Sequence, residues 1–147
     1  MKNFVRRSLR LSLVTVSVVL SLSCTAATAD VVAVVSLKSP LAGLTKSQVA
    51  NLFLGNASML VHGEPVIPID MGAGTPVRNA FYASYAGKNP AQIRAHWSKL
   101  IFTGRGQPPI EVSSSSELKS LIANNPRMIG YLDTTMLDGS VRALISP

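Results

Sequence analysis

The stretch Val66-Ile67-Pro68-Ile69-Asp70-Met71-Gly72-Ala73-Gly74-Thr75-Pro76 decides the fold. Its first five residues read as a short strand, whose prolines favour an edge or an end of a sheet. Met71 to Gly74 is a glycine-bearing turn, and Thr75-Pro76 places a capping hydroxyl before a proline at the first helical position. Val77, Ala80, Phe81 and Tyr85 then recur on one helical face. A strand therefore passes through a flexible loop directly into a helix.

The flanking sequence repeats the alternation. Upstream, Val31 to Val35 is an unbroken apolar run, the pattern of an interior strand covered on both faces. After Ser39-Pro40, Thr45 can cap a helix with Val49, Leu52 and Phe53 as its apolar stripe, ended by Gly55-Asn56. Downstream, Asn89-Pro90 starts a helix carrying Ile93, Trp97, Leu100 and Ile101. Thr103 to Pro109 is a loop, and the serines from 113 to 116 can cap a helix buried through Leu118, Leu121 and Ile122 and stopped by Asn124-Asn125-Pro126. Met128 to Leu132 and Val141 to Ile145 read as short strands around a turn or a single helical turn. Strands separated by helices predict an α/β domain with a small mixed sheet flanked by helices.

The N-terminus has a different character. Lys2, Arg6, Arg7 and Arg10 precede an apolar run from Leu11 to Leu22, and small residues follow up to Ala29. That order predicts a secretory signal over residues 1–29, cleaved near Ala29, and a periplasmic or secreted domain over residues 30–147. The run falls short of the roughly 20 residues that cross a bilayer. Arg6-Arg7 leaves both the general and the twin-arginine export routes open, and Cys24 lacks the upstream aliphatic residue of a lipidation site. Cys24, the single cysteine, would leave with the leader, so the mature domain has neither a disulfide nor a thiolate metal site. Four of the 14 Lys and Arg residues also lie there. Ten then face seven acidic residues, and the net charge falls from +7 to +3. Such a mild balance, without basic runs and with few aromatics, does not support nucleic-acid binding.

Several stretches together resemble the substrate-binding proteins of phosphate ABC transporters, a branch of the type II periplasmic binding proteins. They are Val31–Val35 with Ser39-Pro40, then Leu44-Thr45, Gln48-Val49 and Phe53-Leu54-Gly55, then Val66–Asp70 with Gly74-Thr75, and Ile129-Gly130-Tyr131. The segment from Trp97 to Pro109 looks like that of short single-domain members. The resemblance implies a single lobe of that fold, matching the second half of the full-length relatives. It also implies an anion loop of the form Arg-x-Asp-Gly-Ser-Gly-Thr. Aligned on its final Gly-Thr, that loop has Ile69 in place of arginine, Met71 in place of aspartate and Ala73 in place of serine, and keeps Gly72, Gly74 and Thr75. Charge-assisted contacts of roughly 1.5–3 kcal/mol each are lost with the arginine and the serine.

The candidate ligand residues are therefore Gly72, Gly74, Thr75 and Arg78 at the strand-loop-helix, with Ser36 and Ser39 after the first strand. Plain capping by Thr75 with a solvated Arg78, and an ordinary turn at Ser39-Pro40, are the alternative readings. Asp70 would repel an anion unless it accepts hydrogen bonds, and its expected role is to fix the turn. Arg105, in the glycine-rich loop, could close over a ligand or remain an exposed loop residue. A hydrolase would have only His62 with Ser36 or Ser58, and no Gly-x-Ser-x-Gly elbow is present. His62 and His96 on separate elements, without cysteine, make a poor metal site. The expected protein is thus a non-enzyme without a cofactor. It binds a small oxyanion such as phosphate weakly, or only once a homodimer, a transporter or another partner completes the site. The alternative is an interaction or sensory module that keeps the fold without binding solute.

Overall fold

The computed structural model describes residues 30–56, 60–61 and 63–144. The expected leader, Ser58, His62 and the end of the last expected strand at Ile145 lie outside them. Strands β1 (Val31–Ser36), β4 (Ile67–Met71), β5 (Ile110–Val112), β6 (Met128–Asp133) and β7 (Val141–Ala143) form one sheet in the order β5-β4-β6-β1-β7. Strand β4 runs parallel to β5 and β6, whereas β1 is antiparallel to both its neighbours. A small hairpin, β2 (Leu60–Val61) with β3 (Glu64–Pro65), lies outside the sheet, with Gly63 at φ 83° in its turn.

Helices α1 (Lys46–Phe53), α2 (Pro76–Ala86), α3 (Pro90–Phe102) and α4 (Ser115–Asn124) complete the domain. Alternation along β6 shows how they are layered. A Cβ on Gly130 would stand 2.5 Å from Ile122 and 2.8 Å from Leu118, so this side of the strand faces α4 at close range. Tyr131 points the other way and stacks on Phe81 of α2, 4.0 Å between ring centres, with Phe53 of α1 beside it. Helices thus cover both faces of the sheet, and β1 is buried along nearly all of its length, as its unbroken apolar run requires.

The local signals in the sequence act largely as chemistry dictates. Thr45 with Gln48 and Asn89 with Gln92 form reciprocal capping boxes at the starts of α1 and α3, and Ser114 accepts from the Glu117 N–H at the start of α4. Three features differ from the sequence expectations. Strand β4 is interior, between β5 and β6. Its Ile67 N–H donates to Arg127 on the β6 side, so the nitrogen of Pro68 faces the β5 side. There pairing begins only at Ile110, opposite Ile69, and the missing donor costs no ladder bond. Second, β5 lies between the expected loop at Thr103–Pro109 and the expected caps at Ser113–Ser116, and its three residues are too few for a visible alternation. Third, Ile101 is 56% exposed despite its place in the apolar stripe of α3. Among the described residues no helix is long and apolar enough to cross a membrane.

Candidate functional site

The site is built on Asp70, the fourth residue of β4 and only 1% exposed. A buried carboxylate is tolerated when its lone pairs are occupied and its charge is met. Oδ1 accepts from the Met71 N–H at 2.8 Å and from the Tyr131 hydroxyl. Oδ2 accepts from the Tyr82 hydroxyl at 2.8 Å and from Arg78 Nε at 3.1 Å. Arg78 and Tyr82 are four residues apart on α2, so one helical face delivers both donors.

The Asp70 charge acts on the protonation of its three side-chain partners. Burial acts against the Arg78 charge, but the adjacent carboxylate outweighs it and the guanidinium pKa is raised. The phenols of Tyr82 and Tyr131 are pushed well above the usual tyrosine range, first by burial and then by the negative charge of Asp70. Asp70 therefore does fix the turn, as a hub joining β4, α2 and β6.

With Nε committed, the outer part of the Arg78 guanidinium lies 3.7 Å from Glu111 Oε1 and borders a groove of about 320 Å³. Ala73 and Gly74 form one wall; Arg94, Trp97 and Ile101 of α3 belong to the opposite wall. The groove lies beyond the C-terminal ends of the parallel strands β4 and β5, where open α/β sheets place ligands. Gly74, exposed with φ 88°, shapes the loop at its rim; that left-handed conformation suits glycine.

The six expected ligand residues divide into three groups. Gly74 and Arg78 line the groove. Gly72 and Thr75 hold the loop: the Gly72 N–H donates to Val112 at 3.1 Å, and the Gly72 carbonyl accepts the Thr75 hydroxyl at 3.1 Å. Thr75 is the residue before the helix and Pro76 is its first residue, as expected, but the hydroxyl makes no cap to α2 because it turns back to Gly72.

Ser36 and Ser39 lie at the opposite end of the sheet. Because β1 is antiparallel to β6, its C-terminus stands beside the start of β6, at the same end of the sheet as the start of β4 and at least a strand length of about 17 Å from Gly72 at roughly 3.3 Å per residue. Ser36 is buried there, donating to Ala123 of α4 and accepting from the Lys38 N–H. Ser39 accepts from the Leu41 N–H, and its carbonyl receives Arg142. The antiparallel direction of β1 thus separates Ser36 and Ser39 from Gly72, Gly74, Thr75 and Arg78, and the structure does not bring the two groups of candidates together.

His96 binds the Leu54 carbonyl through Nε2 at 2.8 Å, tying α3 to the end of α1. Arg105 is exposed in a neighbouring surface groove with Gly104 and Gly106, which shares Ile101 and Pro108 with the first. Four contributors escaped the sequence reading: Arg94, Glu111, and the hydroxyls of Tyr82 and Tyr131. A signal for the first existed, since Pro90, Arg94, Trp97, Ser98 and Ile101 fall at helical spacing along one side of α3.

The arrangement is a five-stranded mixed sheet with helices on both faces and a groove at the loop-to-helix junction after β4. Two solved structures share that fold. One is an ABC-type phosphate transport receptor from Vibrio cholerae, 19% identical, with a TM-score of 0.59 over 78% of this chain and 44% of that one. The other, assigned as a phosphate ABC transporter substrate-binding protein and holding bound phosphate, is from Clostridium perfringens, 22% identical, with a TM-score of 0.58 over 78% and 43%. The chain thus spans less than half the length of either. No family model and no curated protein matches it.

Proposed function

We propose that this chain is an exported, periplasmic domain of the phosphate-binding-protein type. It binds a small oxyanion at the Gly74–Arg78 groove, weakly by itself or fully when a second copy or a transporter component supplies the facing lobe. One observation carries the reading: Arg78, fixed through Nε by buried Asp70, keeps the rest of its guanidinium on a groove at the start of α2, a helix end without a side-chain cap. A positioned cation and a positive helix end suit an anion. The shared fold with phosphate-binding transport proteins supports the same ligand class, a non-enzymatic role and work beside a membrane transporter.

A second reading, a partner-binding or sensory module without solute, is favoured by a different observation. Gly72 and Thr75, both retained from the anion loop, spend their donors within the protein, on the Val112 carbonyl of β5 and on the Gly72 carbonyl. Calorimetry separates the two. Heat on titrating phosphate or sulfate into the folded protein, lost in Arg78→Ala, supports oxyanion binding. Absence of heat at millimolar phosphate removes it for the monomer. Light scattering over a concentration series tests the completed site, which requires a phosphate-dependent dimer or a captured transporter component.

A further inference from the structure

The groove is larger and more apolar than a bare tetrahedral oxyanion needs. At about 320 Å³ it falls in the range of pockets that hold small organic ligands, about 300–1,000 Å³. Its apolar surface comes largely from Pro90, Ile93, Trp97 and Ile101 of α3 and from Pro108, beside the polar Arg78, Arg94, Ser98 and Glu111. Trp97 is held by packing: a Cβ on Gly55 would meet its ring at 3.1 Å, and one on Gly106 at 3.7 Å, while its indole N–H has no acceptor among the described residues.

Charge does not suffice to hold a bare anion here. Arg78 is neutralised by Asp70 at 3.1 Å and has Glu111 on its outer side at 3.7 Å. Arg94 forms no salt bridge among the described residues and is the remaining positive charge on the groove. Two arginines against two carboxylates leave no net charge, so a dianion gains little from Coulomb attraction alone. Apolar contact must then supply the difference, at a rate per unit area that favours a ligand with a hydrocarbon body.

We infer that the groove selects a small organic phosphate, its anionic group between Arg78 and Arg94 and its apolar body against Ile101 and the α3 wall. The inference rests on the oxyanion-binding reading and names its ligand class.

Trp97, the only tryptophan in the chain, reports on that wall directly. Its fluorescence is titrated with phenyl phosphate, inorganic phosphate and phenol. Phenyl phosphate is expected to give a saturable change with an affinity at least about ten-fold above inorganic phosphate, and phenol none. Ile101→Ser and Arg94→Ala, both at exposed positions, are each expected to weaken phenyl phosphate by about three-fold or more. Equal affinity for the two phosphates, with calorimetry confirming that both bind, overturns the inference and leaves oxyanion binding standing. Phenyl phosphate binding that neither variant weakens overturns it too, because the ligand then sits elsewhere. If neither phosphate binds by fluorescence or calorimetry, both readings fall together.

Discussion

The Tyr131 hydroxyl donates to Oδ1 of Asp70 across 61 residues of chain, and the Met71 N–H is shared between the same two oxygens. One phenol from β6 thereby completes a carboxylate on β4 that also receives Tyr82 and Arg78 from α2. The turn leading to the groove is anchored from three elements at once.

Removing the charge at this hub should be costly. Asp70→Asn leaves a largely buried arginine without its carboxylate and sets an amide N–H against hydrogen-bond donors, so a loss of about 3 kcal/mol is expected. Arg78→Ala leaves the carboxylate three donors and should cost less, about 2 kcal/mol. Urea unfolding measures both. A cost below about 1 kcal/mol for Asp70→Asn would show that the network adds little to stability.

The raised phenol pKa values give a definite pH dependence. Below about pH 10 both phenols are protonated whether the chain is folded or not. Above it, the unfolded chain releases protons that the folded one retains, so stability falls as pH rises. The slope is at most about 1.4 kcal/mol per pH unit for each tyrosine. Unfolding curves between pH 8 and 11 should therefore move steadily to lower urea above pH 10, and less steeply in Tyr82→Phe.

Capping separates the helix starts. Asn89→Ala removes an acceptor that holds the Gln92 N–H at 2.9 Å and should cost about 1 kcal/mol. Thr75→Ala removes no cap, only a hydroxyl bound to Gly72. Its loss should be clearly smaller. Thermal unfolding of the two variants side by side tests the order, and a larger effect at Thr75 would contradict it.

Gly130→Ala probes the face of the sheet under α4. The added methyl would lie within 3 Å of the ends of Ile122 and Leu118, both fully buried. Their side chains can turn only into other core atoms. Destabilisation of about 1–3 kcal/mol is expected, with Leu118→Ala partly rescuing it in a double-mutant cycle.

Much of the domain is legible one segment at a time. The helices α1, α2, α3 and α4 announce themselves through Thr45, Pro76, Asn89 and the serines before Glu117, because caps and apolar stripes involve residues only three or four apart. The β1 run shows its burial for a similar reason: continuous apolar side chains need cover on both sides. The strand-loop-helix from Val66 to Pro76 likewise exposes Gly74 and Arg78 as candidates, since the loop is short enough for sequence neighbours to be spatial neighbours.

Strand direction and long-range partners were decided only by the tertiary structure. Nothing local in Val31–Ser36 says that it runs against its neighbours, yet that reversal sends Ser36 and Ser39 to the far end of the sheet. Nothing local tells Asp70 that it will receive Tyr131, or Arg78 that Arg94 and Trp97 will stand across a groove. Caps and stripes arise from contacts within a turn or two of chain, which the sequence by itself determines. The site arises from sheet order and helix packing, which join residues dozens of positions apart.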